Sequence, residues 1–284
     1  SDRDESFAVL DKFVANGGKS IDTADAYSAW VPGHVGGESE TIIGEWLAKR
    51  EKRDDVVIGT KVFSLPTRKG LSPANIRAAV DDSLRRLQTD YIDLYYAHRD
   101  DETVSQADYV AAFDELVKAG KVREIGASNF TIERLTSAVA IAKDAGHASF
   151  TVSQDHYNLV ERDFEAALPT LRVLGIVEVP YAALASGFLT GKYRPGIEVD
   201  SARARSAALR LEVPENLALL DKLDIMAADH GVSVAAVALA WLRQQTGIAA
   251  PIASARTADQ LDVILEAFDL ELTLHELDLL RDHA

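Results

Sequence analysis

Cysteine is absent from this chain of 284 residues, and methionine occurs only once. Without thiols the protein can form no disulfide bond, hold no metal through thiolates and use no cysteine nucleophile. We expect no metal site. A chain without disulfides suits a reducing compartment, so we also expect a cytoplasmic protein.

Long apolar runs and an excess of positive charge are missing as well. No apolar run approaches the roughly 20 residues that a helix needs to cross a bilayer, so we expect a soluble protein without a membrane partner. The chain has 30 Lys and Arg against 45 Asp and Glu, a formal net charge of −15. Nucleic acids and anionic membranes require a basic face, so we expect neither as a partner.

The remaining composition is that of a globular protein, with 47% hydrophobic and 26% charged residues. A chain of this length can form one large α/β domain, and no change in composition marks a boundary. We therefore expect residues 1–284 to form a single domain. No helix pattern shows a coiled-coil seam, and we expect a monomer.

Helical and strand patterns alternate along the chain, separated by glycine and proline. The predicted helices are 4–16, 38–49, one from 72–73 to 87, 105–118, 131–144, 164–173, 215–230, 234–244, 257–267 and 272–284. The predicted strands are 19–24, 55–61, 91–98, 122–129, 150–154, 176–181 and 247–254. Residues 187–208 are irregular and predict a long functional loop.

This alternation predicts parallel βαβ units, and seven in succession favour a closed barrel over an open sheet. A GxGxxG motif after the first strand is missing, which argues against a doubly wound dinucleotide fold. The expected class is therefore α/β, a (β/α)8 TIM barrel. Because the sequence opens in a helix and predicts only seven strands, we expect the first strand to lie before Ser1 or to be left out.

Polar residues follow the predicted strands at their carboxyl ends, where parallel barrels carry their catalytic groups. They are Asp22 with Tyr27 beyond it, Lys61, His98, Ser128 with Asn129, Gln154, Tyr181, and Ser254 with Arg256. Each alone has a structural explanation, since strand-end Asp caps turns and strand-end Lys reaches water. Their joint occurrence at one end indicates a site.

Four of these residue types fit an acid catalyst. A tyrosine that donates a proton near neutral pH needs its pKa, ordinarily about 10, lowered, and an adjacent ammonium achieves this. Lys61 can supply the ammonium if Asp22 holds it in an ion pair. His98 can polarise a carbonyl by donating a hydrogen bond, or serve as an alternative acid.

Several motifs, in this order along nearly the whole chain, resemble those of the aldo-keto reductases. They are DTADAY at 22–27, Lys61 after a buried strand, YYAHRDD around His98, GKVREIGASNF at 120–130, VSQDHYN around Gln154, SGFLTGKY at 186–193 and SARTADQL at 254–261. The resemblance implies a barrel that binds NAD(P)H without a Rossmann domain and reduces aldehydes or ketones by hydride transfer.

The resemblance also implies roles for the residues that match. Tyr27 would be the proton donor, Lys61 and Asp22 its activating pair, and His98 the group that orients the carbonyl oxygen. Ser128, Asn129 and Gln154 would hold the nicotinamide carboxamide, and Tyr181 would stack on the nicotinamide ring. The residues implied for the pyrophosphate are Leu184, Gly187, Leu189, Gly191 and Lys192.

Near the carboxyl terminus the resemblance places Ser254, Arg256 and Gln260 at the adenosine phosphate. A 2′-phosphate favours a bidentate cation, and Arg256 is the strong cation there, so we expect NADPH rather than NADH. The family commonly has an acidic residue and an asparagine for the adenine, where this chain has Val263 and Ile264. This departure leaves the adenine contacts unpredicted.

The substrate is expected to be a small carbonyl compound. Trp30, Phe63 and Tyr157 follow strand ends and could form an apolar wall, or could equally be loop packing. Arg99 and Arg162 could favour an acidic substrate, or be solvated charges.

Two other functions remain open from the sequence. The chain could be a regulatory or interaction subunit that binds a nucleotide without significant turnover, although the complete set of Asp22, Tyr27, Lys61 and His98 disfavours a purely binding role. It could also be a lyase that uses Lys61 as a Schiff-base nucleophile, but Tyr27 would have no evident function in that reaction.

Overall fold

The computed structural model describes residues 2–200 and 203–281, and these form two compact units. The sheet unit consists of Gly17–Gln154 and Thr170–Val177. The helical unit contains the described residues of Ser1–Asn16, Asp155–Pro169 and Glu178–Ala284.

A parallel sheet with its strands in sequence order forms the centre of the sheet unit, except for its last residue, Glu178, which belongs to the helical unit. Its strands are β1 (Ser20–Asp22), β2 (Val57–Val62), β3 (Ile92–Ala97), β4 (Val122–Ser128), β5 (Phe150–Gln154) and the short β6 (Val177–Glu178). The helices between them are α2 (Glu38–Ala48), α3 (Pro73–Leu87), α4 (Gln106–Lys118), α5 (Ile132–Ala145) and α6 (Leu168–Leu174). The predicted α/β alternation is confirmed.

Helix starts follow their sequence signals closely. Ser72 accepts a hydrogen bond from the amide of Asn75, and Pro73 opens the first turn of α3. Thr131 caps α5 in the same way, and Gly146 ends it in a left-handed conformation at a φ of 66°. These boundaries are local, so the sequence predicts them to within a residue.

The helices α2 and α3 approach each other closely at Gly44. A Cβ added there would lie 2.0 Å from the carbonyl oxygen of Arg86 and 2.7 Å from the carbonyl carbon of Leu87. A side chain can rotate away from such an overlap, but these are backbone atoms.

We therefore expect Gly44→Ala to destabilise the protein by about 1–3 kcal/mol, because overpacking outweighs the roughly 1 kcal/mol gained in helix propensity. Denaturant unfolding measures this free energy. The control is Gly59→Ala in β2, where the added Cβ would meet its nearest atom at an ordinary 3.5 Å. Equal losses in the two variants would contradict the packing argument.

Most helices of the helical unit pack around one apolar cluster. Its helices are α1 (Arg3–Ala15), α7 (Ala204–Leu211), α8 (Pro214–His230), α9 (Val234–Arg243), α10 (Ala258–Leu265) and α11 (Leu274–Arg281). Two short 3₁₀ segments, Asp163–Ala167 and Ala185–Thr190, belong to the same unit. Every residue of α9 from 235 to 242 is buried, so this helix is the core element.

Three predicted strands are much shorter than the sequence pattern indicated or are missing, and the first of them, 19–24, is reduced to the three residues of β1. The prediction for 176–181 is reduced to β6, and 247–254 forms no strand but one parallel bridge, between Glu178 and Ile248. The amide of Glu178 donates to Gly247, and the amide of Ile252 donates to the carbonyl of Pro180. Pro180 and Pro251 have no amide hydrogen to donate, which interrupts a regular ladder.

Other boundaries differ less. The predicted helix 164–173 is a 3₁₀ segment followed by α6, and the irregular segment 187–208 contains the start of α7. The predicted helix 272–284 is α11, and residues 282–284 lie outside the described residues.

Over residues 2–200 and 203–281, no individual helix has both the length and the apolar composition needed to cross a membrane. The helices α8 and α9 meet those criteria only when counted together as a pair bent by 96°.

Candidate active site

The carboxyl ends of three strands, two of them neighbours and the third further along the sheet, bring three predicted site residues together in the sheet unit. Asp22 ends β1, Lys61 lies one residue before the end of β2, and Gln154 ends β5. Parallel strands present the same ends at one edge of a sheet. Residues far apart in sequence therefore meet there.

The ammonium of Lys61 is the centre of this group. Its Nζ donates to Asp22 Oδ2 at 2.6 Å, to the carbonyl of Thr23 at 2.7 Å and to the hydroxyl of Tyr27 at 3.2 Å. These are as many acceptors as an ammonium has hydrogens. The Lys61 side chain is fully buried, and this burial lowers its pKa, while the Asp22 carboxylate opposes the shift.

The hydroxyl of Tyr27 lies between a cation and an anion. It accepts from Lys61 and donates to Asp22 Oδ2 at 3.3 Å. The Lys61 ammonium also lies 4.9 Å from the centre of the Tyr27 ring. An ammonium in this position stabilises a phenolate, so the arrangement can support loss of the hydroxyl proton.

Gln154 holds the other oxygen of the Asp22 carboxylate. Its Nε2 donates to Asp22 Oδ1 at 3.0 Å, and the side chain is buried. The sequence did not predict this contact, which spans 132 residues. Both carboxylate oxygens are therefore engaged, and this fixes the orientation of Asp22.

His98 directly follows β3, and its amide donates to the carbonyl of Val62 at 2.9 Å. The imidazole lies edge-on to the Tyr27 ring, with 6.1 Å between ring centres. Burial, together with the positive charges of Lys61 and Arg99, lowers the pKa of His98 to about 3. The ring is therefore neutral at neutral pH. Within the described part of the chain, its Nδ1 is buried without a hydrogen-bond partner.

Ser128 and Asn129 lie beside His98 at the end of β4. Asn129 has a left-handed backbone, with a φ of 56°, a conformation that asparagine tolerates better than most residues. Its Nδ2 donates to the carbonyl of His98 at 3.1 Å and to Ser128 Oγ at 2.9 Å. A hydroxyl and an amide are thereby placed next to the backbone of His98.

In the helical unit, Tyr181 stacks on a residue that the sequence analysis did not assign. The rings of Tyr181 and His156 are nearly parallel, with an interplanar angle of 11° and 5.3 Å between centres. The amide of Tyr181 donates to the carbonyl of Asp155 at 2.9 Å. His156 lies within the VSQDHYN motif, but no local signal pairs it with Tyr181.

The segment after Tyr181 turns through left-handed conformations. Ala185, Ser186 and Gly187 have φ values of 46°, 56° and 92°, and Gly191 has a φ of 76°. The amides of Ala185 and Gly187 close the turn by donating to the carbonyls of Ala182 and Leu184, each at 2.8 Å. Of the other predicted residues, Leu184 precedes the turn, Leu189 is buried, and Lys192 lies 4.9 Å from the Tyr193 ring centre.

Ser254, Arg256 and Gln260 are exposed at the start of α10. The amide of Arg256 donates to Gln260 Oε1 at 3.0 Å, and the amide of Gln260 donates to Thr257 Oγ1 at 3.2 Å. The two residues Arg256 and Gln260 are thus brought together. One turn further on, Val263 is partly exposed and offers no hydrogen bond from its side chain.

The whole chain, residues 1–284, matches the family model described as the aldo/keto reductase family. The chain belongs to the aldo-keto reductases. Family members act on small carbonyl compounds and generally use NAD(P)H, so this aldo-keto reductase is an oxidoreductase.

Named relatives of this aldo-keto reductase agree with that assignment. It is 34% identical over 289 residues to norsolorinic acid reductase B of Aspergillus parasiticus, across 97% of this chain and 73% of that protein. It is 35% identical over 293 residues to the uncharacterized oxidoreductase YrpG of Bacillus subtilis, across 99% and 87%. It is 34% identical over 298 residues to protein tas of Escherichia coli, across 95% and 86%.

The residues considered for the substrate wall of this aldo-keto reductase separate into two groups. Trp30 is 73% exposed and lies edge-on to Tyr27, with 5.9 Å between ring centres. Tyr157 is instead buried in the helical unit, where its hydroxyl donates to Glu165 at 2.7 Å. Arg162 pairs with the same Glu165. Tyr157 and Arg162 therefore serve the packing of their unit.

Phe63 and Arg99 were the other two residues considered for the substrate. Phe63 follows β2 with a φ of 134°, a strained value for a residue other than glycine. Arg99 is exposed next to His98 and adds to the positive charge that lowers the pKa of the imidazole.

A buried polar cluster of this aldo-keto reductase was missed entirely by the sequence analysis. Glu40 is fully buried and accepts from Thr60 Oγ1 and from Arg86 Nε, each at 2.6 Å. Asp25 is fully buried close by. The signal was available, because Glu40 shares the helical stripe of Ile43 and Gly44 on the buried face of α2.

Proposed function

We propose that this chain is an NADPH-dependent carbonyl reductase that converts an aldehyde or ketone to an alcohol, with Tyr27 as the proton donor. The observation that carries the proposal is the contact of the Lys61 ammonium with both the Tyr27 hydroxyl and the Asp22 carboxylate. A buried lysine paired in this way needs a reason, and a proton-donating phenol supplies one.

The proton moves from the Tyr27 hydroxyl to the carbonyl oxygen as negative charge develops there. Lys61 stabilises the phenolate that remains, and Asp22 holds Lys61 in position. Gln154 in turn orients Asp22. Such charges act strongly because they are buried and do not have to reorganise during the reaction.

His98 orients the carbonyl oxygen by donating a hydrogen bond as a neutral imidazole. Its pKa of about 3 leaves too little imidazolium at neutral pH for a proton donor. This argument favours Tyr27 over His98 as the acid.

The bound cofactor supplies the hydride. In the sheet unit, the hydroxyl of Ser128 and the amide of Asn129 match the donors and acceptors of a carboxamide, and we assign them to it together with Gln154. In the helical unit, Tyr181 is assigned to the nicotinamide ring. The pyrophosphate is assigned to Leu184, Gly187, Leu189, Gly191 and Lys192, of which Lys192 supplies a positive charge.

Ser254, Arg256 and Gln260 are assigned to the adenosine phosphate, with NADPH preferred to NADH. Val263 and Ile264 offer the adenine no side-chain hydrogen bond, so recognition of the cofactor depends more on its phosphates. The guanidinium of Arg256 is the group suited to a 2′-phosphate.

Arg256→Ala is therefore expected to weaken NADPH binding by about 10-fold or more, since charge-assisted hydrogen bonds contribute about 1.5–3 kcal/mol. NADH binding should change by less than about twofold, because NADH has no 2′-phosphate. Fluorescence titration with each nucleotide measures both affinities. Lys192→Ala is the control, expected to weaken the two nucleotides alike. Equal weakening by Arg256→Ala would remove the reason for preferring NADPH.

The proposal as a whole is tested by titrating the protein with NADPH and NADH and assaying turnover of a reactive aromatic aldehyde. Tight NADPH binding with turnover supports it, whereas binding without turnover favours a regulatory subunit. The lyase alternative predicts a covalent adduct on Lys61 after borohydride treatment. That reaction needs a neutral, exposed amine, whereas Lys61 is buried and donates three hydrogen bonds.

We also propose that residues 1–284 form one (β/α)8 domain and that the protein is a cytoplasmic monomer. The family match over the whole chain and the parallel strands in sequence order support the barrel. One domain predicts a single unfolding transition that fluorescence and circular dichroism report together. The mass of the purified protein measured by sedimentation tests whether it is a monomer.

A further inference from the structure

Asp25 is a buried acid in the sheet unit to which the proposed mechanism assigns no function. It lies three residues beyond Asp22, and its amide donates to the carbonyl of Lys61 at 3.2 Å. Its side chain is fully buried. Within residues 2–200 and 203–281, neither of its carboxyl oxygens has a hydrogen-bond partner of good geometry, and the amide of the adjacent Ala26 is the weakest of the influences on its pKa.

The cations around Asp25 are engaged by other acids. Arg86 pairs with Glu40 at 2.6 Å, and Arg68 pairs with Asp82 at 2.6 Å. Lys61 pairs with Asp22 at the same distance. A buried carboxylate without its own counter-ion is costly, so the neutral carboxylic acid is favoured.

Charged and titratable groups face Asp25 from each neighbouring element. Glu40 comes from α2, Arg86 from α3, Arg68 from the segment between β2 and α3, Lys61 from β2 and Tyr95 from β3. Burial raises the pKa of Asp25 to about 7, and the charge of Glu40 adds to this, while Arg86 and Arg68 oppose it. Burial keeps Tyr95 a neutral phenol by raising its pKa well above the usual value.

The cluster lies behind the strand that presents Lys61 to Tyr27. Thr60, which donates to Glu40, pairs in register with Tyr95, and Lys61 pairs with Tyr96. Successive side chains of a strand point to opposite faces of the sheet. The Asp25 carboxyl group makes no direct hydrogen bond to the Lys61 ammonium, but the two residues are adjacent, because the amide of Asp25 donates to the carbonyl of Lys61.

We propose that Asp25 is a positioning residue for the reduction. The charge on its buried carboxyl group sets the pH up to which Lys61 remains an ammonium beside Tyr27. This inference rests on the proposed function. When Asp25 is neutral, Lys61 has only its other acidic neighbours to keep it charged. When Asp25 ionises, the added negative charge raises the pKa of Lys61 and preserves the ammonium to higher pH.

Asp25→Asn tests this, because asparagine keeps the shape but cannot ionise. We would measure kcat and KM on a model aldehyde at saturating cofactor, from about pH 5.5 to about pH 10. At the acidic end of this range the variant and the parent should have the same kcat, because Asp25 is neutral there. The alkaline limb reports the first proton lost from the coupled Lys61–Tyr27 pair, and removing the negative charge of Asp25 makes that proton easier to lose. The limb of the variant should therefore fall about half a pH unit earlier, which is about threefold in kcat on that limb, with KM unchanged.

Two results on the kinetic side overturn the inference. Superimposable pH profiles would show that the charge of Asp25 does not reach Lys61. A loss of kcat by the same factor at every pH would show a purely structural role. Asp114→Asn is the matched control, since it removes another buried carboxylate of the sheet unit, one paired with Lys118. Asp114→Asn should leave the alkaline limb of the kcat profile at the same pH as in the parent.

A second measurement does not depend on turnover. A carboxyl whose folded pKa lies above its unfolded value loses stability as pH rises from about 4 to about 7, because the unfolded chain releases its proton first. The unfolding free energy of Asp25→Asn, relative to the parent, should therefore increase over this range and level off above it. If the unfolding free energies of Asp25→Asn and the parent changed in parallel with pH, the inference that Asp25 is a neutral acid in the folded protein would be wrong.

The two measurements separate the possible failures. If the parent protein shows no turnover at any pH, the proposed function fails and the positioning role fails with it, while the stability curves still decide whether Asp25 holds a proton. If the parent shows turnover but the pH profiles of kcat for the parent and Asp25→Asn coincide, the proposed function stands and the inference about Asp25 is wrong.

Discussion

Replacing Tyr27 with phenylalanine should lower kcat by about 10²–10⁴-fold, the range that a positioned general acid typically contributes. The hydroxyl contacts Lys61 and Asp22, whereas the ring lies edge-on to His98 and Trp30 and remains in the variant. Nucleotide affinity should therefore change by less than about twofold. Steady-state kinetics and a fluorescence titration of the same preparation measure both quantities.

The control for this variant is Tyr95→Phe, because it makes the same chemical change in β3, away from Lys61 and Asp22. The Tyr95 hydroxyl is buried and has no hydrogen-bond partner among the residues that the structure describes. Its removal should cost less than about tenfold in kcat. If Tyr27→Phe lost nucleotide binding and turnover to the same extent, Tyr27 would be a binding residue and the proposed acid would be wrong.

Lys61→Met should also have a large effect, both on turnover and on its pH dependence. Methionine fills much of the same space but removes the ammonium that contacts the Tyr27 hydroxyl at 3.2 Å. The phenol then becomes a weaker acid, so kcat should fall by about 10²-fold or more. The alkaline limb of the remaining activity should move to higher pH, since the phenol loses its proton later. The pH profile of kcat measures this shift.

The same substitution leaves the Asp22 carboxylate without its cation in a largely buried position. Breaking a buried ion pair commonly costs about 3–5 kcal/mol, so stability must be measured alongside activity. Lys61→Arg separates charge from geometry, because it keeps a cation but cannot reproduce three convergent ammonium bonds. It should remain slow, with its alkaline limb near that of the parent. An unshifted limb in Lys61→Met would contradict the pairing of Lys61 with Tyr27.

Local signals predicted most of the secondary structure. The strand 150–154 is observed as β5 with the same bounds, and Ser72 with Pro73 opens α3 as the capping pattern predicted. These elements follow from periodicity and from caps, which involve residues a few positions apart. Such signals depend little on the rest of the chain.

The strand predictions for 176–181 and 247–254 show where the local signal was incomplete. Residues 176–181 and 247–254 have the apolar character of strands, but Pro180 and Pro251 remove amide donors from the pairing. The prolines are visible in the sequence and would have supported shorter predictions.

The composition of the site was predictable, but its contacts were not. The order of polar residues at the strand ends indicated Asp22, Tyr27 and Lys61 as one group, and the structure brings them together. The amide of Gln154 was assigned to a cofactor, yet in the structure it donates to Asp22. The stacking of His156 on Tyr181 has no counterpart in local sequence.

The sequence by itself determined the alternation of helices and strands, the membership of the aldo-keto reductases and the residues at the strand ends, because these depend on short-range patterns and motif order. Only the tertiary structure decided that Lys61 is buried with three acceptors, that Gln154 holds Asp22 and that Asp25 is fully buried. Burial and pairing depend on which residues meet across the sheet. That is set by packing of segments up to 132 residues apart, so no local pattern records it.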